Sequence, residues 1–346
     1  MRFEGGVSGP AAVPLVVEEK RRRGWLPFAA VRPDYDLIPL NGKRLLTEGL
    51  SRRAPAGTIA AVAYRAELRP SPGEVVKHLI DRDASVLART RITGGVPVEE
   101  YERAGAEHSE WSMDSAVAAA AGVLGRHVSE SGTGARIESV RQDVRGVQVD
   151  DVVISVDGQP VRTATEVRSA LAGRNAVALE VSRAGQARPV SLVRQFDGAW
   201  GLRVVTSARS LQHGIAARFD LPEDLRGPSL GLACALSIVD AYTGGQLAGS
   251  GTLVATGAVD LTGRVGAVGA IEYKARAVRA QAHARRFVVP AEVPDDAEAA
   301  RRILGGRVEV VAVTTLREAV DLLGGPAWRS RRTATRSADR IGGAVR

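Results

Sequence analysis

Alternation and periodicity along the chain predict its elements. Gly57-Thr-Ile-Ala-Ala-Val-Ala-Tyr64 follows Pro-Ala, is rich in apolar and β-branched positions, and predicts a strand. Pro72–Ile80 predicts a short helix, and the polar residues 93–110 predict loop or exposed helix. The small, apolar run from Ser112 to Leu124 predicts a helix with Ser112 as N-cap and Asp114 in its first turn. Near Gly132 the texture changes. Residues 135–140 predict a strand. Val147–Val161 predicts two strands around an Asp157-Gly158 turn, and 163–171 a helix capped by Thr163 or Thr165. Residues 176–183 and 188–193 predict a hairpin closed by Ala184-Gly185. Further on, an apolar helix starts at Ser229. Residues 251–268 give two strands around the turn at 260–263 and a Gly-rich loop, and 271–284 give a second helix.

The composition is that of a globular chain: 346 residues, 45% apolar and 25% charged. Cys234 is the sole cysteine, which excludes a disulfide framework and a Cys-based metal site, and it reads as a core residue. No apolar run approaches the ~20 residues of a membrane helix, and the first thirty residues lack a signal-peptide pattern, so the chain as given reads as soluble and unsecreted.

The net charge of +8 raises nucleic-acid binding, but its location argues otherwise. Residues 326–346 carry six Arg against one Asp, and Lys20–Arg23 adds a second basic flank. Aromatics make up 4% and do not interleave with these runs, so solvated tails are the simpler reading. The cations themselves are more informative. There are 43 Arg but four Lys, and after Lys77 the only Lys is Lys274. Arg does not give up its proton in practice, whereas a desolvated Lys does. Lys274 therefore suits a task that Arg cannot perform, provided its surroundings suit a base. It sits in the first turns of a predicted helix behind an apolar, Gly-rich approach, where burial would lower its pKa towards neutrality. Ser229, behind Gly227-Pro228, stands at a helix start, where a Ser is usually a cap but also meets unpaired N–H groups suited to an oxyanion.

Two resemblances are specific. The run Gly146–Val161 with its following helix and hairpin resembles a PDZ domain of the bacterial protease type over residues 130–195, although Val149-Asp150 replaces the usual Pro-Gly and the preceding segment is short. The resemblance implies peptide binding by strand addition between the strand at 135–140 and the helix at 163–171. The loop Gly132-Thr133-Gly134-Ala135, followed by Arg136 and Ile137, would meet the peptide carboxylate. The second resemblance is to the proteolytic domain of Lon proteases. Gly227-Pro228-Ser229-Leu230-Gly231 matches its nucleophile motif, Thr256-Gly257 its Thr-Gly, Gly269-Ala270-Ile271-Glu-Tyr-Lys274 its lysine motif, and Arg285–Glu292 the strand that follows. Departures are Leu230 for Ala, Ala270 for Gly, and Arg226 for an acidic or small residue. Leu230 would narrow the pocket beside the nucleophile.

The resemblance implies an α+β fold: a Lon-type proteolytic domain with an inserted PDZ-like, β-rich half-barrel. The divisions expected are a flexible basic arm at 1–34, an N-terminal protease part at 35–124, a PDZ-like domain at 130–197, a catalytic part at 199–324 and a disordered basic tail at 326–346. It implies a Ser229–Lys274 dyad supported by Thr256, Gly227, Pro228 and Gly231, acting on polypeptide without metal or other cofactor. No G-x-x-x-x-G-K-[ST] loop occurs, so no nucleotide is expected, and the combination resembles the PDZ-containing Lon-like proteases of bacteria. Members of that family are usually membrane-anchored with the protease outside the cytoplasm, and Lon-like domains often form hexameric rings. The five His, at 78, 108, 127, 213 and 283, show neither triad nor metal spacing. The rival readings are a catalytically inactive peptide-binding scaffold and a protein that uses its basic tails on nucleic acid.

Overall fold

The computed structural model describes residues 16–17, 26–42, 44–48, 54–93, 96–141, 143–195, 198–222 and 225–324. Most of the expected basic arm and all of the expected basic tail lie outside the described residues. The chain divides into two compact units. One is Val128–Gln212. The other is discontinuous and holds the described residues up to His127 and those from His213.

The first part of the discontinuous unit contains strands β1 (Val16–Val17), β2 (Phe28–Pro33), β3 (Ile38–Pro39), β4 (Leu45–Thr47), β5 (Thr58–Ala61) and β6 (Tyr64–Glu67). Helix α1 (Pro72–Ile80), strand β7 (Ser85–Ala88) and helices α2 (Arg89–Thr93) and α3 (Val98–Val123) follow. The strand expected over 57–64 is broken at Val62-Ala63, and its halves join different sheets. Helix α1 begins with a capping box between Ser71 and Glu74. Residues 28–33 correct the expected arm: β2 pairs with both β6 and β7, and Ala29, Ala30 and Val31 are buried. Helix α3 starts fourteen residues before the expected N-cap, at Val98 rather than Ser112, so Ser112 lies inside it. Val98, Tyr101 and His108 are buried, giving the polar stretch a buried face that its composition hides.

The inserted unit contains β8 (Ser129–Ser131), β9 (Ala135–Val140), β10 (Val152–Val156), β11 (Gln159–Pro160), α4 (Ala164–Leu171), β12 (Ala176–Arg183), β13 (Gln186–Val193), β14 (Leu202–Thr206) and β15 (Ser210–Gln212). Its sheet runs β13-β12-β10-β9-β14, antiparallel throughout. Both tight turns have positive φ at their central residues, Asp157-Gly158 and Ala184-Gly185, as the twist of a two-residue hairpin requires. Thr163 caps α4 in a capping box with Glu166. Ile137, Val153, Val167, Leu179 and Val181 form the centre of a separate core. Residues 199–212, expected in the catalytic part, instead pair here, β14 with β9 and β15 with β8.

The remaining elements return to the discontinuous unit: β16 (Ala217–Phe219), β17 (Leu225–Arg226), a 3-10 turn (Pro228–Leu230), α5 (Gly231–Thr243), β18 (Thr252–Ala255), β19 (Ala258–Val259), β20 (Val265–Gly266), α6 (Ile271–Ala280), β21 (Ala284–Pro290), α7 (Pro294–Leu304), β22 (Glu309–Val313) and α8 (Leu316–Leu323). Helix α6 stops at Ala280 rather than 284, because Ala284 already pairs in β21. One five-stranded sheet runs β22-β21-β18-β5-β3, parallel except for β3, a second runs β17-β1-β6-β2-β7, and β16 with β4 and β19 with β20 form two-stranded pairs. The β18-α6-β21-α7-β22 succession makes the architecture mixed α/β, more parallel than the α+β expectation. Val254, Phe287 and Val289 pack with Ile271, Val278 and Leu304 in its core. Helix α5 is buried at every position from Gly231 to Asp240, and its sequence there is apolar apart from Ser237, whose Oγ donates to the Ala233 carbonyl, and Asp240, which accepts from the Leu247 N–H.

Candidate active site

Ser229 occupies the middle of the 3-10 turn that leads into α5 rather than an N-cap, and it is 1% exposed. Three features hold this turn. Gly227 has φ 96° and ψ 164°, a conformation essentially reserved for glycine. Its N–H donates to Ser109 Oγ at 2.7 Å and to the Gly105 carbonyl at 3.0 Å. Ser112 Oγ donates to the Pro228 carbonyl at 2.8 Å. Gly231 completes the approach: a Cβ there would lie 2.8 Å from Ser112 Oγ and 3.1 Å from Val259 N, so a side chain would push α3 away from α5. The sequence by itself assigns Ser109 no role and Ser112 only that of an N-cap. Their three-residue spacing along one helical face was the available signal.

Thr256 follows β18 directly, where its N–H donates to the Val288 carbonyl of β21 at 3.0 Å. Gly257 N–H donates to the Ser229 carbonyl at 3.0 Å, and Leu232 N–H returns a bond to the Gly257 carbonyl at 2.9 Å. This exchange ties the nucleophile turn to the carboxyl end of a central parallel strand, where α/β sheets commonly place ligands. Lys274, in the second turn of α6, is 0% exposed. Its Nζ lies 3.1 Å from Ser229 Oγ and 3.0 Å from Thr256 Oγ1. Thr256 Oγ1 in turn lies 3.4 Å from the Ser229 carbonyl. Ser229, Thr256 and Lys274, from three separate elements, thus meet in one buried cluster.

Burial lowers the Lys274 pKa from 10.5 to about 7, and the Asp296 carboxylate of α7 pulls it partly back up. The amine is therefore neutral in a substantial fraction of molecules near neutral pH. In that state the Ser229 hydroxyl can donate to the Nζ lone pair. In the protonated state the ammonium donates instead. The backbone leading into α6 carries an irregularity: Ala270 is left-handed, with φ 64° and ψ 33°, a conformation uncommon for a residue with a side chain. Leu230, next to the nucleophile, is buried, as Ser229 and Lys274 are.

Residues 217–323 match the Lon protease (S16) C-terminal proteolytic domain. The matched stretch contains Ser229, Thr256 and Lys274, and this domain implies serine peptidase chemistry. No curated protein matches the chain.

The peptide-binding residues expected in the inserted unit are corrected. The part of β9 expected to take the peptide is paired on both sides: Ala135 and Arg136 pair with β10 on one side, where Ile137 also bonds Asp150 and Asp151, and β9 pairs with β14 on the other. Thr133 N–H donates to the Ser207 carbonyl at 3.0 Å and Gly134 N–H to the Arg162 carbonyl at 2.9 Å, so neither can take a peptide carboxylate. At Gly132 a Cβ would lie 2.7 Å from the Arg162 and Ser207 carbonyls, so the loop is built around a residue without a side chain. Arg136 pairs with Asp150, and Ile137 is buried. The sheet instead ends at β14, beside which α4 packs: Ala164 N–H donates to Thr206 Oγ1 at 2.9 Å.

Among the described residues no three His, Cys, Asp or Glu side chains group as metal ligands, and no helix is long and apolar enough to cross a membrane. A cavity of about 820 Å³ lies elsewhere in the discontinuous unit, at the amino ends of β5, β18 and β21, and none of Ser229, Thr256 and Lys274 lines it.

Proposed function

We propose that the chain is a serine endopeptidase that hydrolyses peptide bonds with a Ser229–Lys274 dyad and without ATP. The observation that carries this reading is the 3.1 Å approach of a buried lysine amine to the Ser229 hydroxyl. Neutral Lys274 takes the hydroxyl proton as Ser229 Oγ attacks the carbonyl, and then delivers it to the leaving amine. Water hydrolyses the resulting acyl-enzyme, with the same amine as base. Thr256 anchors the amine in position through its 3.0 Å contact. Backbone N–H groups of the turn that carries Ser229 stabilise the oxyanion, helped by the positive end of the helix. The inserted unit presents polypeptide by strand addition. With β9 paired on both sides over Ala135–Ile137, the edge that supports this is β14, next to α4. Assembly into a closed ring of copies completes the proposal.

The test is turnover of casein and of a short fluorogenic peptide, without nucleotide, by the wild type, Ser229→Ala and Lys274→Ala, together with labelling by a fluorophosphonate. Wild-type turnover and labelling at Ser229, with each variant reduced by at least a thousandfold, is the expected result. Equal turnover by all three chains would refute the dyad. A wild type that neither turns over nor labels would favour the inactive scaffold.

A further inference from the structure

Strand β1 lies between two elements that both lead to the dyad. Val16 and Val17 pair antiparallel with Arg226 and Leu225 of β17 and parallel with Tyr64 and Arg65 of β6. On one side, Arg226 is followed by Gly227, Pro228 and then Ser229. Three residues span at most about 11 Å, so a strand in this position lies alongside the approach to the nucleophile. On the other side, the Tyr64 ring stacks on Tyr273, with centroids 6.4 Å apart, and Tyr273 immediately precedes Lys274. Without β1, β17 and β6 would face each other across a gap one strand wide, each with an unpaired edge. Such a gap accepts an extended peptide through main-chain hydrogen bonds, which are largely independent of sequence. Ser229 is meanwhile 1% exposed, so the site is closed in this arrangement.

We propose that β1 fills the slot through which an extended polypeptide reaches Ser229, so that the segment around Val16–Val17 is an internal competitor of substrate. The inference rests on reading Ser229 and Lys274 as catalytic. Its main test is a binding measurement, which stays informative if that reading fails.

The probe is a fluorescent synthetic peptide of residues 11–20, Ala-Ala-Val-Pro-Leu-Val-Val-Glu-Glu-Lys. The protein is the full chain carrying Ser229→Ala, with or without V16P and V17P. Proline supplies no N–H and is excluded from a central strand, so the double variant should vacate the slot. Anisotropy should show the double-proline chain binding the peptide at least tenfold more tightly than its parent. V16G/V17G, which weakens the strand without removing donors, should fall between them. Equal binding to all three chains, or to none, overturns the proposal, provided circular dichroism shows each chain folded. In the Ser229 background the double-proline chain should cleave a short peptide several-fold faster than the wild type, and the 11–20 peptide should raise its KM without changing kcat. No turnover by either Ser229 chain would count against the dyad alone, and the binding comparison would still decide the slot.

Discussion

A lysine placed where Lys274 sits exchanges hydration for two hydroxyl neighbours, and neither hydroxyl carries the negative charge that would keep it protonated. Desolvation therefore dominates and brings its pKa to about 7. The sign of the pH dependence follows. Below that value the ammonium cannot accept the Ser229 proton, and above it the amine can. The kcat/KM for a neutral peptide should rise through pH 7 to a plateau, with activity at pH 6 about tenfold below the plateau. Asp296 provides the control, since its carboxylate favours the charged amine. Asp296→Asn should move the acid limb to lower pH by a fraction of a unit, leaving the plateau in place. A limb that does not move, or moves upward, would exclude electrostatic coupling between Asp296 and the base.

At the scale of elements, the site was legible where local sequence carries it. The Gly-Pro-Ser turn, the Thr-Gly after β18 and the isolated Lys of α6 each have a short signature, and the structure brings their side chains together. What stayed hidden depends on pairing between distant segments. Nothing in residues 202–206 says that they seal the edge of β9, and nothing near Val16 names β6 and β17 as its neighbours. The sequence predicts only the second half of helix α3 because residues 98–111 lack an apolar stripe, yet Ser109 in this stretch braces the nucleophile turn together with Ser112 just beyond it. That bracing is testable. Ser112→Ala leaves the Pro228 carbonyl without its 2.8 Å donor and should cost about 1 kcal/mol of stability. If Ser112 also positions the turn, fluorophosphonate labelling of Ser229 should slow about tenfold at temperatures where the variant is fully folded. Ser112→Thr, which keeps a hydroxyl, should restore part of that rate. A drop in Tm with an unchanged labelling rate would reduce Ser112 to a purely structural role.

For the molecule as a whole, the insertion closes on itself. Strands β8 and β15 are antiparallel, and Ser129 is the direct partner of Gln212, so the two ends of the unit are adjacent, with Cα atoms about 5 Å apart. The unit also has its own buried core, centred on Ile137, Val153 and Val181. A segment with adjacent ends and a separate core can be removed without stretching the chain that carries it. Replacing residues 130–211 with a two- or three-residue Gly-Ser linker should therefore leave a folded chain whose dyad still forms, because Ser229, Thr256, Lys274, Ser109 and Ser112 all lie in the discontinuous unit. Turnover of a short peptide should stay within about threefold of the full chain. Casein turnover should fall by tenfold or more if strand addition on the insertion delivers long substrates. Equal retention of both activities would remove the insertion from substrate delivery. Loss of both, in a chain whose circular dichroism and Tm show it to be folded, would mean that the insertion acts on the catalytic geometry itself.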